Sequence, residues 1–181
     1  MRQISAWLFY SLDGAVDSPD QWQFDYDDEM SADLNAGQER QDAILLGRGT
    51  YAEWADYWPT APQEIGFTNF INNTPKYVVS TTLDTVDWQN TTLIKGDLSE
   101  VAALKEGDGG EIGVYGSPTL TRSLLTEGLL DELTLLVHPV LAGSGHNRLF
   151  PQDAEMVRLD LTSSVQGNKG TMVLKYRPRT P

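Results

Sequence analysis

Apolar runs separated by polar turns divide the chain into strand and helix units. Residues 4–12 are apolar almost without a break, which predicts a first strand covered on both faces. Residues 29–41 place Met30, Leu34 and Ala36 on one inward helix face, although Gly37 weakens the pattern. Residues 43–46 form a short buried strand. From Thr50 the period becomes helical, with Tyr51, Trp54 and Ala55 on one side until Pro59 stops it. A short helix is expected around residues 67–72, and strands at 76–80, 91–95 and 111–115. Asp97 and Glu100 read as a capping box for a helix buried through Val101, Ala102 and Leu104. Ser117 suits an N-cap and Pro118 a first helical turn, ahead of a helix over 120–127 that buries Leu120, Leu124 and Leu125. Residues 133–141 make a long apolar strand. Two last strands, 157–165 and 171–177, flank Gly167-Asn168-Lys169-Gly170, a hairpin signal. The expected architecture is α/β: one domain over 1–181, a mixed sheet of seven or eight strands, about four flanking helices and an antiparallel C-terminal hairpin.

Chemistry concentrates where strands end. Ala43-Ile44-Leu45-Leu46-Gly47-Arg48-Gly49-Thr50-Tyr51 is a strand, a turn and a helix start. Free N–H groups at a helix start attract anions. Gly47 and Gly49 allow close backbone approach, and Arg48 offers a fork suited to phosphate oxygens. The bland alternative is a turn with a surface arginine. Gly116-Ser117-Pro118-Thr119 repeats the arrangement after the strand ending at Tyr115, and two such units favour a dinucleotide-like ligand. Ser80-Thr81-Thr82 sets three hydroxyls at another strand end, where open α/β sheets bind ligands. Ser11-Leu12-Asp13-Gly14 ends the first strand, with Gly14 for the sharp turn and Asp13 placed either to cap backbone N–H groups or to meet substrate. The acidic loop that follows carries Trp22, Phe24 and Tyr26. It reads equally as a pocket wall and as a cover for the sheet. His138 lies in an apolar strand and His146 in a glycine loop, and a structural role suits both better than catalysis.

Charge narrows the partners. The formal net charge is -13, and ten of the 26 acidic residues fall within 1–42 against only Arg2 and Arg40. Nucleic acid and anionic membranes are thereby disfavoured. The chain has no cysteine, which excludes disulfides and thiolate metal sites. The cluster Asp25, Asp27, Asp28, Glu29 and Asp33 lacks the order of a calcium loop, so no metal is expected. No nucleophile elbow, Walker lysine or Gly-x-Gly-x-x-Gly is present. No stretch reaches transmembrane length and the N-terminus lacks a signal-peptide pattern, so the cytoplasm is the expected location.

Taken in order, these motifs resemble the dihydrofolate reductase-like superfamily. They are most similar to the reductase domain of the riboflavin-biosynthesis deaminase–reductase and its stand-alone relatives. Ser11-Leu12-Asp13-Gly14, Leu46-Gly47-Arg48-Gly49-Thr50-Tyr51, Tyr77-Val78-Val79-Ser80, Tyr115-Gly116-Ser117-Pro118-Thr119-Leu120, Gly128-Leu129-Leu130-Asp131-Glu132-Leu133 and Pro139-Val140-Leu141-Ala142-Gly143-Ser144-Gly145 carry the likeness. It implies a three-layer fold, NADPH as cofactor and a homodimer. Cofactor contacts are implied for Gly14, Gly47, Arg48, Gly49, Thr50, Ser80, Thr81, Tyr115, Gly116, Ser117, Thr119 and Leu120. Gly116-Ser117 departs from the family's glycine pair, which a cis peptide usually joins. The implied function is reduction of a small pterin- or pyrimidine-like compound, such as 5-amino-6-(5-phosphoribosylamino)uracil. The alternative is an NADPH-binding protein with little turnover in a sensing or partner role. Asp25, Asp27 or Asp28 is expected to supply the proton, with Asp13, Trp22 and Phe24 facing substrate.

Overall fold

The computed structural model describes residues 1–152 and 154–179; Asp153, Thr180 and Pro181 of the expected domain lie outside the described residues. Eight strands form one sheet: β1 (Ile4–Ser11), β2 (Gln41–Gly47), β3 (Lys76–Ser80), β4 (Thr91–Lys95), β5 (Glu111–Tyr115), β6 (Glu132–His138), β7 (Leu159–Gln166) and β8 (Met172–Pro178). Their spatial order is β4-β3-β2-β5-β1-β6-β8-β7. The first six run parallel, whereas β8 is antiparallel to both β6 and β7. Among the described residues five α-helices flank the sheet: α1 (Asp28–Arg40), α2 (Arg48–Tyr57), α3 (Gly66–Asn73), α4 (Ser99–Glu106) and α5 (Pro118–Thr126). The fold is that of the dihydrofolate reductase-like class, with three layers. Among the described residues no helix is long and apolar enough to cross a membrane.

Strand alternation divides the core in two. Ile4, Ala6 and Leu8 of β1 join Val101 of α4 and Leu120, Leu124 and Leu125 of α5 on one face. Trp7 joins Met30 and Leu34 of α1, Tyr51 of α2 and Ile71 of α3 on the other. Both faces of the parallel strands are therefore covered, which is why they read as apolar runs rather than alternating ones. The expected strand over 133–141 ends at His138. Pro139 has no N–H to donate to a ladder, and the chain turns there.

Two helix starts differ from expectation. Asp97 accepts from the Ser99 backbone N–H at 2.9 Å, but the N-cap position is Leu98 and no Glu100 side-chain bond completes a box. Ser117 is the N-cap of α5, yet its side chain makes no capping bond.

A single buried cation ties β3 to its surroundings. The Lys76 ammonium donates to the carbonyls of Ile71 (2.8 Å) and Thr74 (3.1 Å) and sits 4.5 Å from the centroid of the Trp88 ring. Burial pushes its pKa down to about 8.

Gly37 lets α1 approach the sheet closely. A Cβ there would lie 2.5 Å from the Trp7 indole, so α1 rests on the flat ring only because residue 37 has no side chain. Gly37→Ala should therefore destabilise the protein by about 1–3 kcal/mol through overpacking, despite the roughly 1 kcal/mol by which alanine is the better helix former. Urea unfolding checks this: the midpoint should fall with the slope unchanged. A higher midpoint would mean that propensity outweighs the clash.

Candidate functional site

One cleft of about 1240 Å³ runs along the carboxyl ends of the parallel strands. It reaches from the turn after β4 (Gly96, Asp97) past β3, β2, β5 and β1 to Leu136 of β6. Five inter-strand spacings of about 4.8 Å give it a span of roughly 24 Å. Its two halves differ in chemistry.

The half over β4, β3, β2 and β5 is built from turns and helix starts. Gly47, Arg48, Gly49 and Thr50 line it, as do Ser80, Thr81, Thr82, Gly116, Ser117, Thr119 and Leu120. The two glycine turns stand side by side because β2 and β5 are neighbours. Ser117 joins them. Its buried hydroxyl accepts from the Gly47 N–H at 2.9 Å and lies 3.0 Å from Thr50 Oγ1 and 2.9 Å from the Tyr115 carbonyl. Thr50 in turn donates to the Gly116 carbonyl at 2.6 Å. The Gly116–Ser117 peptide is trans, and Gly116 adopts a φ of 55°, open to glycine with little strain. With Ser117 turned toward β2, its hydroxyl leaves the α5 N–H groups free. The α2 start, after Gly47, also has no side-chain cap and no acid in its first turn. At α4, by contrast, the Asp97 carboxylate occupies the helix start.

Arg48 is the only lysine or arginine among the residues lining the cleft. It is exposed, and among the described residues it has no hydrogen-bond or ion-pair partner. Nothing lies within 4 Å of where a Cβ would stand on Gly49, so the backbone there is open. Ser80 Oγ accepts from the N–H groups of Thr82 and Leu83, both at 3.1 Å, and shapes the turn, whereas Thr81 is exposed at the cleft. Tyr115 lines the cleft, but its hydroxyl turns inward and donates to Gln41 Oε1 at 2.7 Å, and burial pushes its pKa well up.

The half over β1 and β6 has an apolar floor of Trp7, Phe9, Leu34 and Leu136. The loop at residues 16–19 and Asn147 form its rim. Asp13 and Asp17 brace that rim. Asp13 accepts from the N–H groups of Ala142 (2.9 Å) and Gly143 (3.0 Å) and from Arg148 Nη2 (3.0 Å). The Ser11 hydroxyl, those backbone donors and Arg148 together hold its carboxyl far below the usual carboxylate range. Asp17 accepts from the Asn147 N–H at 3.0 Å and Nδ2 at 2.8 Å, and lies 3.2 Å from His146 Nδ1.

Asp13, Gly14, Trp22, Phe24, Asp25, Asp27 and Asp28, expected at the site, do not line the cleft. Gly14 takes the sharp turn at φ 87°, beside Tyr10 and Arg148. Trp22 is buried, its Nε1–H donating to the Asp17 carbonyl at 2.9 Å and its ring 6.0 Å from that of His138. Phe24, Asp25 and Asp28 are exposed. Asp27 is the N-cap of α1, accepting from the Met30 N–H at 3.1 Å and from the Thr171 hydroxyl. Burial pushes its carboxyl up, but the bonds from Thr171, Met30 and Lys169 outweigh that and hold it below its ordinary value. A group so held is a poor proton donor. His138 is buried, which lowers its pKa, and neither ring nitrogen has a partner among the described residues.

A sequence profile of the RibD C-terminal domain matches residues 2–173. The chain belongs to the RibD C-terminal domain family. It is thus related to reductase domains of the riboflavin pathway type. It is 30% identical over 138 residues to YyaP of Bacillus subtilis, covering 75% of this chain and 73% of that one. Among solved structures it is similar to a riboflavin-biosynthesis-type protein of Shewanella sp. PV-4, with a TM-score of 0.78, 19% identity and coverage of 98% and 99%. It is also similar to the dihydrofolate reductase of Enterococcus faecalis in complex with NADP(H), with a TM-score of 0.68, 14% identity and coverage of 98% and 97%. At these identities the two structural likenesses are of fold. Within the RibD C-terminal domain family, this chain has Ser117 acting as a bolt between its two glycine turns.

Two outcomes follow. Ser117→Ala leaves the part-buried Gly47 N–H without its side-chain partner and should cost about 0.5–1.5 kcal/mol in thermal or urea unfolding. Unchanged stability would mean that the turns hold without the bolt. For Asp27, a folded pKa below the unfolded one stabilises the fold above about pH 4, and this contribution is lost as the pH falls through the folded value. Asp27→Asn should therefore melt lower than wild type at pH 7, with the gap closing in acid. A gap independent of pH would show that ionisation of Asp27 is not what stabilises.

Proposed function

We propose that the protein is an NADPH-dependent reductase of a small pterin- or pyrimidine-like ring compound. The observation that carries the reading is the pair of bolted glycine turns, whose uncapped helix starts and single unpaired arginine face one cleft. Donors of this kind suit a phosphate-bearing dinucleotide. In this reading the N–H groups at the starts of α2 and α5 take the pyrophosphate, and Arg48 with Thr81 takes the 2′-phosphate. The cofactor, when bound, supplies the hydride. The chain's own part is to align a flat ring on the floor of Trp7, Phe9, Leu34 and Leu136, and to keep water from the reacting face.

Direct proton transfer from Asp25, Asp27 or Asp28 is set aside, because none of them lines the cleft. That same fact favours a second reading, an NADPH-binding protein with little turnover. NADPH oxidation against a panel of pterins, pyrimidines and dicarbonyls separates the two.

Cofactor choice tests the main reading. A charged hydrogen bond is worth roughly 1.5–3 kcal/mol, so Arg48→Ala should weaken NADPH binding by about one to two orders of magnitude. NADH lacks the 2′-phosphate and should lose much less. The measurement is the dissociation constant of each cofactor for wild type and variant. Equal losses would place Arg48 on the shared pyrophosphate, and no loss for either would leave the turn without a role in binding.

A further inference from the structure

The substrate end of the cleft has an acid and an amide on its rim but no cation among the described residues that line it. Its lining offers Asp17, Ser18 and Asn147 as polar groups, above Trp7, Phe9, Leu34 and Leu136. Neither lysine nor arginine lines it among the described residues. The neighbouring cations are bonded elsewhere. Arg148 Nη2 bonds Asp13 Oδ2 at 3.0 Å and the Gly143 carbonyl at 2.7 Å; its Nη1 is shut off from solvent without a partner among the described residues, and Arg148 does not line the cleft. Lys175 lies 2.7 Å from Asp33 Oδ1 and 5.1 Å from the centroid of the Trp7 ring, under the floor. Lys169 bonds the Tyr26 carbonyl at 3.1 Å, and Arg122 bonds the Leu149 carbonyl at 2.8 Å. The helix start on this side, α1, is also closed to an anion. Asp27 caps it, and Asp28 and Glu29 occupy its first turn.

We infer that this end of the cleft takes an uncharged ring compound, at the level of a base or nucleoside, and rejects its phosphate monoester. A phosphate monoester carries about -1.5 to -2 charges at neutral pH. Phosphate sites supply forks, ammonium groups or open helix starts, and here the rim presents the Asp17 carboxylate instead. Asn147 and Ser18 can bond the exchangeable hydrogens and carbonyls of a heterocycle, and the apolar floor suits its face. Asp17 is thus a specificity-determining residue as well as a brace for the loop that carries Asn147. The inference rests on the proposed reductase reading and narrows its substrate.

Calorimetric titration of 5-amino-6-ribosylaminouracil and its 5′-phosphate, with and without NADP⁺, tests it. The nucleoside should bind at least about tenfold more tightly at low salt, with the ratio shrinking as salt screens the rim. Ser18→Lys, which places an ammonium at that rim, should move the ratio toward the phosphate. A phosphate that binds as well or better, a ratio that Ser18→Lys leaves unmoved, or no binding of either compound overturns the inference. NADPH titrated alone keeps the two readings apart: its failure to bind overturns the cofactor reading, whereas normal NADPH binding with a preferred phosphate overturns only this one.

Discussion

The Ser117 hydroxyl is the constraint on which the cleft depends. Two neighbouring parallel strands, β2 and β5, each end in a turn that opens on the cleft and yet keeps a fixed distance from the other. Backbone pairing stops where the strands stop, so something else has to register the turns. A hydroxyl can accept one bond and donate another, and Ser117 accepts from Gly47 in one turn while facing Thr50 and Tyr115. Thr50 closes the ring by donating to Gly116. Because the bolt uses side-chain oxygens, it consumes only one N–H at the edge of the α2 start. The remaining donors of both helices are left to the cleft, and a capping serine would have removed one of them.

The opposite end is held by a different device with the same economy. Two aspartates of the loop after β1 reach across to the loop after β6, and each accepts backbone N–H groups there. Carboxylates accept several bonds at once, so two side chains organise a long glycine-containing segment that has little packing of its own. The acids that look abundant in the sequence are therefore partly structural. Asp13, Asp17 and Asp27 each close a turn or a helix end. Their positions explain why, of the acids in the first quarter, only Asp17 lines the cleft among the described residues.

Most of the architecture was legible because its signals are local. Buried parallel strands show as unbroken apolar runs, and the hairpin shows as Gly167-Asn168-Lys169-Gly170. Residues 47–50 and 116–120 were legible as cleft lining because glycine, proline and hydroxyl residues mark strand ends. The aromatic loop was not. Trp22 and Phe24 look alike in sequence, but one is buried against His138 and the other is exposed. That difference is set by tertiary packing at long sequence separation. The floor residues Trp7, Phe9, Leu34 and Leu136 were hidden for the opposite reason: they read as core, and core and ligand wall share one composition. Asn147 carried no local signal, since its place depends on Asp17, 130 residues away. The capping role expected of Ser117 failed because the Gly47 N–H at the end of β2 took its hydroxyl.

Charge economy connects these parts. The chain has 13 lysines and arginines against 26 acids, and the fold places several of the cations under cover. Lys76 is fully buried on carbonyls, Lys105 is paired with Asp131 and the Leu129 carbonyl, Arg2 with Asp42, and Lys175 with Asp33. Each of these is already paired with a carbonyl or a carboxylate of the fold. Arg48 differs in having the cleft before it and, among the described residues, no ion-pair partner. Against an acidic background the long-range field repels anions, and short-range donors must outweigh that repulsion within a Debye length of about 8 Å. Only the half of the cleft that combines Arg48 with two open helix starts meets this condition. In the proposed reading, selectivity between an anionic and a neutral ligand follows from where the fold leaves a cation unpaired.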